Sequence, residues 1–290
     1  MTIGVLLRLG RVSNLPTVWS NVIAALVLAG AVAEPRSLTL LLSGFSLFYV
    51  GGMYLNDAFD RKIDALERPD RPIPSGVISA SSVFAIGFSI LAAGVGLVSW
   101  CASEQVPQSW TGALLGGLAL AAMIVLYDIY HKNNPLSPLL MGLCRVLVYV
   151  TAALAMTASV APRVQLGAVA LLCHLIGLTY AAKQENLARL TSVWPLLFLA
   201  VTPVVGVVAA QELGVALAFV VLLCAWLVHS LRFLFHNQRR SIPQAIVRLI
   251  AGIALVDAAL IATLEQFGLA LAAVGCCALT RILQRYVPGT

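Results

Sequence analysis

Asn56, Asp60 and Asp64 recur every four residues within the run Asn56-Asp57-Ala58-Phe59-Asp60-Arg61-Lys62-Ile63-Asp64. On a helix they form one oxygen-rich line, with Asp57 turned off it. Like charges at this spacing repel, and the run closes a long apolar stretch, so something cationic has to sit against it. Two kinds of cation answer that need. One is a hard divalent ion such as Mg2+, which takes carboxylate and amide oxygens together with substrate phosphates. The other is the chain itself, with Arg61, Lys62, Arg68 and Arg71 pairing with Asp60, Asp64 and Asp70 in an ordinary loop. The next segment, Arg71-Pro72-Ile73-Pro74-Ser75-Gly76, shifts the balance toward the ion. Its prolines stiffen the chain and its glycine permits a tight turn, so Arg71 is presented close to the acidic line. A guanidinium suits forked recognition of phosphate. Acidic line, metal and arginine together have the chemistry of a diphosphate site.

The elements that must position this run are apolar. The chain has 290 residues, 60% hydrophobic and only 10% charged, and a mean hydropathy of +0.95. Soluble domains carry about 25% charged residues, so this is an integral membrane protein. Backbone groups in lipid must bond internally, which makes the expected fold all-α, a polytopic helical bundle. Residues 1–290 read as a single membrane domain. A net charge of +6 would suggest nucleic acid in a soluble protein; here its distribution sets orientation instead, and no nucleic-acid partner is expected.

Apolar runs predict spans at about 15–33, 37–57, 78–100, 109–130, 137–158, 164–184, 193–210, 213–235, 244–264 and 267–284. The count is nine if the last run is a surface helix. With a cytoplasmic N-terminus, fifteen of the eighteen Lys and Arg fall on the cytoplasmic side, only Arg36 and Arg163 on the other, and Arg145 lies within a span. That asymmetry places the polar loops, and any chemistry, on the cytoplasmic face of a plasma membrane, bacterial inner membrane being the expected setting.

Within the spans Arg145 and Asp257 stand out. Charges at this depth are buried and paired, so they either pair with each other or line a cavity. His174 reads as a hydrogen-bonded helix contact, and His131 as a positive-inside anchor. His229, His236, Arg232, Arg239 and Arg240 read as an interfacial basic patch for anionic headgroups. The six cysteines lack metal-like spacing and read as packing residues.

The run NDAFDRKIDALERPDRPIPSG resembles the first signature of the UbiA superfamily of membrane prenyltransferases, NDxxDxxxD followed by a basic, proline-rich loop. The resemblance implies helices around a central cavity open to the cytoplasmic face. It also implies Mg2+-dependent transfer of a prenyl group from a prenyl diphosphate donor to an acceptor that the sequence does not specify, with membrane lipid around it. Asn56, Asp60 and Asp64 would hold the metal and Arg71 would border the site. Residues 126–132, Leu-Tyr-Asp-Ile-Tyr-His-Lys, are similar to a family helix end that brings a tyrosine and a lysine to the diphosphate, here Tyr127 and Lys132. Where the family has a second aspartate-rich motif, this chain has Lys183-Gln184-Glu185-Asn186. Lys183 and Gln184 would then touch the diphosphate directly, with Glu185 or Asn186 kept for a single metal. The other reading is a chain that has kept the pocket and lost the reaction, binding or helping to translocate a lipid or precursor. This motif and the RLGRVSNLPTVWSN opening resemble a divergent, EboC-like branch.

Overall fold

The computed structural model describes residues 3–132, 134–184, 192–210, 214–235, 241–287 and 289. A short helix, α1 (Ile3–Leu9), and a 3-10 turn (Val12–Asn14) lead into α2 (Leu15–Ala29), α3 (Pro35–Glu67), α4 (Ala80–Gln105) and α5 (Trp110–Tyr130). Then come α6 (Ser137–Met156), α7 (Pro162–Lys183), a 3-10 stretch (Trp194–Ala200) running into α8 (Val201–Ala209), α9 (Gly214–Phe235), α10 (Ile242–Ala262) and α11 (Phe267–Leu283). Among the described residues there is no strand.

Prolines at the first helical positions open α2, α3, α6, α7 and α10, where the missing N–H costs nothing and the fixed φ favours the helix. Gly30, at φ 69, ends α2 in the left-handed conformation that a side chain would resist. Ser79 caps α4, its hydroxyl accepting from the Ser82 N–H at 3.1 Å.

Among the described residues, each apolar run of the sequence is largely helical. Eight helical segments are long and apolar enough to cross a bilayer, whereas Trp194–Ala209 and Phe267–Leu283 are apolar but shorter. α11, at 17 residues, reaches about 26 Å, short of a hydrocarbon core of about 30 Å. The 194–209 segment begins with 3-10 geometry at Trp194-Pro195 and meets Pro203 in the first turn of α8. α1 lies in a stretch that the sequence reading left without structure; it packs on α3, where the Tyr54 hydroxyl donates to the Leu6 carbonyl at 3.2 Å.

α3 runs ten residues past the apolar span predicted to end near residue 57, so the acidic line continues the same helix. Its 33 residues measure about 50 Å, so it outruns the hydrocarbon core by about 20 Å. The overhang is the acidic run. The helix that crosses the membrane thus carries Asn56, Asp60 and Asp64 out of it on one rigid rod.

From α2 to α11 each helix packs on the next, and α11 packs back on α2, closing a ring. α3 and α4 meet through small residues: a Cβ placed on Gly51 would stand 3.0 Å from the Gly87 carbonyl oxygen, and one on Gly94 would stand 3.0 Å from that of Gly44. Such close approach is how helices associate in lipid, where burial alone gives no advantage over lipid contact. α10 is the most enclosed helix, buried at every position from Ala251 to Ala262, as expected of a helix apolar on all sides.

Candidate active site

α2, α3, α5, α6, α7 and α10 enclose a cavity of about 320 Å3. One end is charged, with Asn56, Asp60, Asp64, Arg68 and Arg71 from α3 and its following loop, and Asp128, His131 and Lys132 from the end of α5. Apart from Arg11, Asn14 and Arg145, the rest of the wall is mostly apolar, with Phe45, Phe48, Leu120, Ile124, Val148, Leu175, Ile246 and Ile250.

Each acid of the α3 line meets a cation of the chain. Asp64 Oδ2 accepts from Arg71 Nη1 at 2.7 Å, and the same nitrogen reaches Asp57 Oδ1 at 3.1 Å. Asp60 Oδ2 stands 3.4 Å from both His131 Nε2 and Lys132 Nζ. Asn56 accepts a long bond from Arg11 Nη2, 3.4 Å, and donates to Asp128 Oδ1, 3.1 Å. Asp57, off the line, binds Arg11 at 3.1 Å. Burial opposes the charge on Arg11, but the Asp57 carboxylate, with Tyr49 and Tyr127 adding to it, more than offsets that and raises its pKa above the ordinary arginine value.

The loop after α3 folds as its proline and glycine pattern implies. Pro72 accepts from both Val77 and Ile78 N–H groups, and Gly76 turns with φ 76, which brings Arg71 back over α3. Arg61, expected among the loop's pairing cations, instead donates to the Ala58 carbonyl and lies over the Phe84 ring. Tyr127 lines the cavity and stacks on His131 with ring centroids 4.9 Å apart. His131, read as a simple positive-inside anchor, is corrected: its position one turn after Tyr127 points its ring at Asp60 instead of at headgroups.

The second motif sits differently from the expectation. α7 faces the cavity with Leu175, Leu178, Thr179 and Ala182. Lys183 is rotated by about 100° from Ala182; it is exposed, and its Nζ donates to the Asn134 carbonyl. Gln184 is buried but is not part of the cavity wall. Contact of Lys183 and Gln184 with a diphosphate is therefore not brought about by this geometry. Glu185 and Asn186 lie outside the described residues, as do His236, Arg239 and Arg240.

Arg145 and Asp257 turn out to be joined through a third residue. Arg145 lines the cavity and donates to Asn21 Oδ1 at 2.7 Å, while Asn21 Nδ2 donates to Asp257 Oδ2 at 2.8 Å. Ser20 and Tyr149 hydroxyls also donate to Asp257. Both expectations hold in part: Arg145 faces the cavity, and Asp257 lies behind it as its relayed partner. His174 Nε2 meets the Leu249 carbonyl at 3.1 Å, the helix contact expected. All six cysteines are free.

Arg11 and Asp128 escaped the sequence reading as site residues. Arg11 was counted only as an orienting charge. Asp128 carried a usable signal, a carboxylate at the end of an apolar span, where an unpaired charge is expensive.

A family model described as the UbiA prenyltransferase family matches residues 15–253. The chain belongs to the UbiA prenyltransferase family. Digeranylgeranylglyceryl phosphate synthase of Methanoregula boonei is 33% identical to this UbiA-family chain over 116 residues, 39% of the chain and 37% of the relative. That of Methanothrix thermoacetophila is 32% identical over 130 residues, 42% of the chain and 49% of the relative. The chain thus matches less than half the length of these curated relatives. Solved structures share the fold: one reported for digeranylgeranylglyceryl phosphate synthase in membranes has a TM-score of 0.61 at 16% identity, covering 93% of this chain and 98% of that one. A UbiA homolog from Archaeoglobus fulgidus bound to GPP and Mg2+ has a TM-score of 0.59 at 14% identity, covering 90% and 99%.

An ion of the kind bound by the Archaeoglobus fulgidus homolog, Mg2+, fits the donor set here. Asn56, Asp60 and Asp64 offer hard oxygens at the cavity's charged end, and Asp128 Oδ2 is buried without a hydrogen-bond partner. Among the described residues no three carboxylate, imidazole or thiol groups converge closely enough to hold an ion unaided. That suits an ion which takes one or two carboxylates and completes its shell with substrate phosphates and water.

Proposed function

We propose that this protein transfers a prenyl group from a prenyl diphosphate to an acceptor within the membrane, in a Mg2+-dependent reaction at the charged end of its cavity. The observation that carries this is the cavity's two-part wall. Its acids and cations stand where a diphosphate head would lie, and its aromatic and aliphatic residues continue inward where an isoprenoid tail would lie. The metal-bearing structural neighbour, a UbiA homolog bound to GPP and Mg2+, supports the same donor chemistry.

Asn56, Asp60 and Asp64 would hold the ion. Bound there, it would draw charge from the diphosphate oxygens. Lys132 and Arg71 now neutralise these carboxylates, with the His131 imidazole beside Asp60; with ion and substrate in place Lys132 and Arg71 would turn to the phosphates, and fixed positive charge would stabilise the leaving group as the carbon–oxygen bond of the donor breaks. The acceptor's nucleophilic atom bonds to that carbon and gives up a proton. The apolar wall keeps water from the allylic carbon. Tyr127, stacked on His131, positions the imidazole beside Asp60.

The test is release of inorganic diphosphate from geranyl, farnesyl and geranylgeranyl diphosphate by the purified protein in lipid nanodiscs, supplied with membrane extract as the acceptor source. We expect Mg2+-dependent release that Asp60→Asn and Asp64→Asn abolish. Saturable donor binding without release, or binding indifferent to Mg2+ and to both substitutions, would overturn the transferase reading and leave a protein that carries its ligand unchanged.

A further inference from the structure

Asp128 is the one buried acid of the cavity wall that no cation of the chain meets in an ion pair among the described residues. Glu67 also borders the cavity, but it is exposed and so solvated. Asp128 is only 3% exposed, yet its Oδ2 has no hydrogen-bond partner. Its Oδ1 accepts from Asn56 Nδ2, while the amide oxygen of Asn56 takes only the long bond from Arg11. A buried carboxylate oxygen with nothing to bind is expensive. A bound ion is one of the few things that accounts for such a group in a folded protein.

α7 brings Leu175, Leu178, Thr179 and Ala182 to the cavity and no acid among its described residues. The negative charge opposite α3 comes from α5 instead, through Asp128, beside Asn56 and one helical turn from the Asp60 level.

We infer that Asp128 is a metal-binding carboxylate that supplies, from α5, the second acidic group of the site, so that the ion held by Asn56 and Asp60 is also bound by the free Asp128 oxygen. The ligand is a divalent cation of the Mg2+ or Mn2+ type bridging to a diphosphate. Two carboxylates, one amide oxygen and phosphate oxygens are a donor set of the hard kind that such ions take. This inference rests on the diphosphate site proposed above.

The test is Mn2+ binding followed by electron paramagnetic resonance, on full-length protein in nanodiscs, with inorganic pyrophosphate as probe and no turnover involved. Wild-type protein is expected to bind Mn2+ when pyrophosphate is present, and Asp60→Asn to lose it. Asp128→Asn keeps the shape and can still accept from Asn56; it should weaken Mn2+ binding by roughly tenfold or more, a loss that even outer-shell partners of metal sites reach. Asp70→Asn, an exposed acid outside the cavity, should bind as wild type. If wild type and Asp60→Asn behave as expected while Asp128→Asn binds like wild type, Asp128 is only a partner for Asn56 and the inference fails alone. If wild-type protein binds no Mn2+ with pyrophosphate, the diphosphate site and the inference fail together. Fe2+-directed cleavage of the unsubstituted protein gives an independent reading should Asp128→Asn fail to fold. Cuts near residue 128 as well as near 56–64 support the inference; cuts near 56–64 alone overturn it.

Discussion

Arg71 holds two carboxylates with one nitrogen, Asp64 at 2.7 Å and Asp57 at 3.1 Å, and all three side chains are mostly buried. Removing one member of such a group strands the others, a loss of about 3–5 kcal/mol for a well-buried pair. We therefore expect Arg71→Ala to lower the thermal midpoint measured in detergent. Asp64→Asn added to Arg71→Ala should recover part of the loss, because it removes a stranded charge. Full additivity of the two changes would show that the pair is not coupled. At Asp60 the same logic gives a milder result. Its partners His131 and Lys132 stand at 3.4 Å, and Lys132 is over a third exposed, so Lys132→Ala should cost little stability while lowering donor affinity. Equal loss of both would count against a role at the diphosphate.

At the scale of elements, α3 does two jobs with one rod: its first two thirds pack in the bundle and its last turns present the acids. The packing depends on small residues. A side chain at Gly51 meets the Gly87 carbonyl and Leu91, at 3.0 and 3.1 Å from Cβ, whereas one at Gly96 meets nothing within 4 Å. Gly51→Leu should thus separate α3 from α4, with a cost of about 1–3 kcal/mol and a corresponding fall in thermal midpoint, and it should displace the acidic run that α3 carries. Gly96→Ala should leave the midpoint unchanged or slightly raised. A Gly51→Leu protein as stable as wild type would mean that the two helices do not meet in this register. α7 offers the converse lesson: its cavity stripe of Leu175, Leu178, Thr179 and Ala182 is ordinary helical periodicity, and Lys183 misses it by a single position.

For the molecule as a whole, the ring of helices has a charged end and a plain end. The loops after α3 and α5 share the charged end with the cavity mouth, while Arg36 and Glu104, paired at 2.8 Å, mark the other end of the α3–α4 pair. The distribution of Lys and Arg leads us to place the charged end in the cytoplasm. Cysteine introduced at Ser75, on a background with the six native cysteines replaced by serine or alanine, should be labelled by a membrane-impermeant maleimide only in inside-out vesicles, and cysteine at Ser103 only in intact cells. The reverse pattern would invert the orientation and put the cavity mouth on the outer face.

The class of fold, the positions of the apolar helices and the acidic line on α3 were legible in the amino-acid order alone. Those features are local: hydropathy sets a span, and a spacing of four sets a helical face, with no need of distant contacts. It also carried enough of one motif to point to the family. It did not determine which acids would be joined to which cations. Arg11 reaches Asn56 and Asp57 across the chain, His131 and Lys132 meet Asp60 only where the end of α5 lies against α3, and Asn21 relays Arg145 to Asp257 across three helices. Nor did it determine which face of α7 or α5 would turn inward. That was decided by how the ring closes, because a helix rotated by one residue hides Lys183 from the cavity and, on α5, turns Asp128 into it.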